Sequence, residues 1–103
     1  MDIELDELKR EFLAEAEEKV REMLSALERG RDSLDRLGYL AHQLKGSGGS
    51  YGYQSISADA AEIEKAVESV NDGANDPQVE QTIKKHVVSL KDEIDRRTRE
   101  LAH

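Results

Sequence analysis

Apolar residues return every three or four positions through four successive stretches of this chain, a period that fits α-helix and not strand. In the first stretch, from about Leu5 to Glu28, the stripe is Leu5, Leu8, Phe12, Ala16, Val20, Met23, Leu24 and Leu27. Glu, Lys and Arg fill the intervening positions and make a solvated face. Gly30 stands where a helix commonly ends on a left-handed residue. The second stretch starts at Asp32 or Ser33, both good N-cap residues, with Leu34, Leu37, Ala41 and Leu44 in register and Leu40 on the flank. The third, about Gln54 to Val70, carries Ile56, Ala60, Ile63, Val67 and Val70. The clearest break follows, Asn71 to Pro77, where Asp76 can cap the next helix and Pro77 can occupy its first position. The fourth stretch carries Val79, Ile83, Val87, Leu90, Ile94 and Leu101.

Four amphipathic segments with short connections predict an all-α fold, an antiparallel up-down-up-down four-helix bundle. At 103 residues the whole chain, 1–103, is expected to be one domain. Its 37% apolar residues suffice for one core, and an aromatic content of 4% makes that core aliphatic. The absence of cysteine excludes disulfides and thiolate metal sites. No two histidines have the i, i+4 spacing of a zinc site, so no metal is expected. A Walker-type glycine loop is also absent, so the chain is expected to have no ATP site and no cofactor of its own. A net charge of −8 argues against nucleic acid and against anionic membranes, which leaves another protein as the expected partner. No apolar run reaches the roughly 20 residues of a membrane span. The start, Met1-Asp2-Ile3-Glu4, does not look like a secretory signal. A cytoplasmic monomer is the expectation.

One region departs from an ordinary bundle. Five of the seven glycines lie between Gly38 and Gly52, and each glycine inside a helix costs about 1 kcal/mol relative to alanine. On a helical wheel His42 points roughly 130° away from the Leu34, Leu37, Ala41 and Leu44 stripe, towards solvent. Its face is shared by Gly38, Lys45, Gly46 and Gly49, at offsets of three, four and seven. Gly48 falls on the buried stripe, where a small residue lets two helices approach. An exposed imidazole is largely neutral near pH 7 and keeps a nucleophilic lone pair. Bare backbone at Gly38, Gly46 and Gly49 gives a partner access to it, and the Lys45 ammonium suits phosphoryl oxygens. Tyr39 and Tyr51 flank the segment, either as docking surface or as closure of the bundle end. His86 lies in register between Ile83 and Leu90 and is expected to flank the core, and His103 is the last residue.

The run Ala41-His42-Gln43-Leu44-Lys45-Gly46-Ser47-Gly48-Gly49-Ser50-Tyr51-Gly52 resembles the signature of the histidine phosphotransfer (HPt) family. That signature reads His, any residue, an aliphatic, Lys, Gly, two small residues, and a Gly ten residues after the His. Phe12-Leu13-Ala14-Glu15-Ala16-Glu17-Glu18 is similar to the family's opening helix and Ile63-Glu64 to its third. The resemblance implies that the second helix continues through the glycines to about Ser50. It implies His42 as phosphoacceptor, Lys45 as stabiliser of the phosphoryl group, and Gly46 as the gap that admits a receiver domain. It also implies Glu64, twenty-two residues after His42, as the group that orients the imidazole through Nδ1 and leaves Nε2 free. The implied partners are a response-regulator receiver domain, a histidine kinase, or both, with Mg²⁺ supplied by the receiver. Two other readings fit the same residues: the substrate domain of a chemotaxis-type kinase, and a helical interaction module whose histidine is never modified.

Overall fold

The computed structural model describes residues 3–73 and 77–102. Among these residues there are four α-helices and no strand: α1 Ile3–Arg29, α2 Leu34–Ser50, α3 Gln54–Asn71 and α4 Pro77–Leu101, with a 3₁₀ turn at Arg31–Ser33 before α2. The expected Asp76 cap and His103 lie outside the described residues. No helix is long and apolar enough to cross a membrane, among the described residues.

The helices meet through the apolar faces that their spacing defines. α2 packs on α1 and α3, and α4 packs on α1 and α3. Along α2 and α3 the partners run in opposite order, from Asn71 on Asp35 to Ser57 on the Lys45 carbonyl. The core is Phe12, Leu13, Val20, Met23, Leu34, Leu37, Leu40, Leu44, Ile56, Ile63, Val67, Ile83, Val87, Leu90 and Ile94, with small residues between them. Two details differ from the stripes read in sequence. Leu5 and Leu8 are 40% and 47% exposed. They precede the level at which the other helices begin: Phe12 stacks on Tyr51 and Tyr53 from the α2–α3 turn, and Arg10 bonds the Leu101 carbonyl at the end of α4. Leu13, Ala26 and Leu40 are buried although they lie off or beside the stripes. Each helix touches two others, so its apolar arc is wider than a single seam.

Ser33 occupies the N-cap of α2 but makes no side-chain capping bond; the 3₁₀ turn instead sends its N–H to the Gly30 carbonyl at 3.1 Å. Gly30 has φ +91°, the left-handed ending expected of it. The helix α2 does run through the glycines. It stops in a Schellman arrangement, Tyr53 N–H to Gly48 O at 2.8 Å and Gly52 N–H to Gly49 O at 3.1 Å, around Gly52 at φ +82°.

The glycine cluster therefore has several tasks. A Cβ on Gly48 would lie 3.2 Å from both Ile56 Cγ2 and the Ser57 backbone nitrogen. A Cβ on Gly38 would lie 3.0 Å from Val67 Cγ1. Both positions let α3 close on α2, a packing role for Gly38 besides the partner access expected of it. Gly46 has open space around its Cβ position, and a Cβ on Gly49 would make only an ordinary 3.7 Å contact. Two substitutions should therefore act in opposite senses. Gly46→Ala should stabilise the fold in urea melts by about 1 kcal/mol, the helix-propensity gain. Gly48→Leu should destabilise it by about 1–3 kcal/mol through overpacking.

Candidate functional site

The close approach of α3 to α2 brings one carboxylate against two side chains of the helix opposite. Gly38 meets Val67 and Gly48 meets Ile56, and Glu64 lies between those two contacts on α3. Ile63 beside it is fully buried, which anchors this turn of α3 in the core. Glu64 Oε2 stands 2.6 Å from His42 Nδ1, and Oε1 accepts from Lys45 Nζ at 2.6 Å. The Glu64 side chain is 18% exposed, against 63% for His42. One carboxylate thus holds an imidazole and an ammonium group that stand three residues apart on α2.

The Lys45 hydrogen bond, reinforced by the one from His42, holds the Glu64 carboxyl below the usual glutamate range; burial opposes the shift and loses. An ionised carboxylate has no proton to give, so the short contact requires Nδ1 to donate. In the neutral ring the lone pair then resides on Nε2. A tautomer is fixed by this one contact.

Lys45 rests on Glu64, and its stem is tied to α3 through the backbone. Ser57 Oγ donates to the Lys45 carbonyl at 2.8 Å. Nothing in the spacing of the chain marked Ser57, because it lies twelve residues away on another helix. Ser50 Oγ likewise bonds the Gly46 carbonyl at 3.1 Å. These hydroxyls give α2 extra bonds where its glycines weaken it.

Gly46 and Gly49 are exposed one and two turns beyond His42 and leave its C-terminal side low. On the other side stands Tyr39, 52% exposed. Gln43 Nε2 donates to its hydroxyl at 2.9 Å, and the Arg36 guanidinium lies 5.4 Å from its ring centre. Arg36 is itself paired with Glu22 of α1. Tyr51, in contrast, stacks on Phe12 with ring centres 5.0 Å apart and closes the bundle end. His86 flanks the core as expected, with Nδ1 3.1 Å from Asp59 Oδ1, while Ser89 donates to Asp59 Oδ2 at 2.9 Å. No group of three or more acidic or histidine side chains is placed to hold a metal ion, among the described residues.

The family model for the Hpt domain matches residues 7–100, nearly the whole chain. No similar protein among the curated ones and no similar solved structure was found.

The depressed Glu64 carboxyl makes a pH-dependent contribution to stability. A group whose pKa falls on folding stabilises the fold fully above its unfolded pKa and loses that contribution as pH falls through its folded one. The stability difference between the wild type and Glu64→Gln, measured by urea melts across pH, should hold steady above about pH 5 and shrink below about pH 4. A difference independent of pH from 7 to about 3 contradicts the assignment.

Proposed function

The chain belongs to the Hpt domain family, and from that premise we propose that it is a phosphorelay intermediate, carrying a phosphoryl group on His42 to or from the aspartate of a response-regulator receiver domain. The family gives it a phosphotransfer role in two-component signalling. The observation that carries the assignment to His42 is its geometry: an exposed ring on a continuous helix, held through Nδ1 by Glu64 at 2.6 Å.

In transfer from a receiver, the Nε2 lone pair attacks the phosphorus of the aspartyl phosphate. The N–P bond forms, the acyl O–P bond breaks, and the aspartate leaves as carboxylate. Nδ1 keeps its proton throughout, so the product ring is cationic. Glu64 faces that charge at hydrogen-bond distance and stabilises it. Transfer back to a receiver reverses each step. Lys45 is the cation available to the phosphoryl oxygens, and to reach them it exchanges its Glu64 partner for the phosphoryl group. Gly46 leaves the imidazole free to enter the receiver's acidic pocket, where the receiver supplies Mg²⁺. The chain contributes the carrier and its orientation and has no ATP site of its own. An alternating up-down-up-down bundle, a monomeric state and a cytoplasmic location belong to the same reading.

Incubation with a phosphorylated receiver, followed by mass spectrometry under conditions that preserve acid-labile phosphate, tests this directly. One phosphoryl group should appear on the wild type and none on His42→Gln. Gly46→Gln should keep its helical circular dichroism and lose transfer. Lys45→Ala should fold normally and transfer about tenfold or more slowly. Undiminished transfer to His42→Gln overturns the site, and undiminished transfer to Gly46→Gln overturns the access argument.

A further inference from the structure

A groove of about 260 Å³ opens between α2 and α3 on the Tyr39 side of His42, and His42 and Glu64 form one of its ends. Its floor is Gly38 and Val67, and Tyr39 forms a wall. The far end carries Asp35 and Glu68, both exposed, near Asn71. The charges along it are unequally satisfied. Glu64 is neutralised by Lys45, and the nearby Arg36 is taken up by Glu22. Among the described residues, Asp35 receives only a 3.3 Å bond from the neutral Asn71 amide and the Glu68 carboxylate has no side-chain partner. Lys65, the next cation along α3, lines a different surface, towards α4.

Resting on the phosphorelay reading, we propose that this groove is the specificity-determining part of the receiver-docking surface, and that it selects receivers presenting a basic side chain to Asp35 and Glu68. Phosphoryl transfer requires the partner to cover Nε2, and a standard interface covers about 800 Å² per partner. Asp35 is two helical turns from His42, about 10 Å, so it lies inside that footprint. A partner seated there removes water from two carboxylates that no described cation of this chain neutralises. Leaving them desolvated and unpaired is costly, so a productive partner supplies the positive charge itself. Tyr39 is suited to the centre of such a contact. It is an exposed aromatic already held at its hydroxyl by Gln43 and on its face by Arg36, so little side-chain entropy is lost when it is covered. A receiver carrying a carboxylate opposite the groove is rejected by like-charge repulsion.

The test compares transfer to the receiver domain that the phosphorylated wild type serves fastest, among the receivers encoded in the same genome. The double reversal Asp35→Lys, Glu68→Lys should lower kcat/KM for that receiver about tenfold at low salt, with most of the loss in KM and the gap narrowing in about 1 M NaCl. The neutral pair Asp35→Asn, Glu68→Gln should fall between it and the wild type. Glu62→Lys, Asp92→Lys makes the same change of net charge on surfaces facing away from the groove and should leave kcat/KM within about twofold. Equal kcat/KM for the wild type and the Asp35, Glu68 reversal overturns the docking proposal, and so does an equal loss in the Glu62, Asp92 control. Labelling of the wild type with phosphoramidate stands apart from both: failure to modify His42 there overturns the phosphorelay reading itself.

Discussion

The whole arrangement depends on how closely α3 lies against α2. That distance is set where Gly48 faces Ile56 and Ser57 and where Gly38 faces Val67, positions at which a methyl group already crowds its neighbour. Larger residues there would press on Val67, Ile56 and the Ser57 backbone, on either side of the turn of α3 that holds Glu64 against His42 and Lys45. The helix-propensity loss at the glycines is offset locally by the Ser57 and Ser50 hydroxyls, which bond backbone carbonyls of α2, and globally by the buried leucines on its other face. A weak stretch of helix stays intact because its neighbour supports it.

Glu64 joins structure to chemistry. Its two oxygens are occupied by groups of different character, an imidazole nitrogen and an ammonium. The ammonium is the larger cause of its lowered pKa, and an ionised carboxylate, which has no proton to give, obliges Nδ1 to be the donor. Lys45 and His42 are thus linked through a carboxylate they share. In the proposed phosphorelay, a phosphoryl group on Nε2 would make the ring the cation that Glu64 faces and would free Lys45 for an anion.

The four helices were legible because their apolar spacing is regular and two of their breaks are sharp, at Gly30 and after Asn71. His42 was legible because a wheel drawn on Leu34, Leu37, Ala41 and Leu44 sends it outward, and it is exposed. The continuity of α2 across Gly46, Gly48 and Gly49 was not legible from propensity, which favours a loop there; it came from the family signature. The packing of Gly38 against Val67 was not legible, because a wheel shows which residues share a face and not how near the next helix comes. Leu5 and Leu8 keep the period of a buried stripe but are only half covered among the described residues. Ser57 with Lys45 and Asp59 with His86 were invisible for one reason: their bonds cross between helices, and no local spacing encodes them.

A carboxylate on α3 fixes His42 with its proton on Nδ1 and its lone pair on Nε2. Nitrogen-15 NMR of the imidazole, recorded above the ring's titration and again after phosphorylation with phosphoramidate, tests it most directly. A protonated Nδ1 and a bare Nε2 are expected in the free protein, and phosphorus bonded to Nε2 in the modified one. A ring protonated on Nε2, or phosphorus on Nδ1, would contradict it.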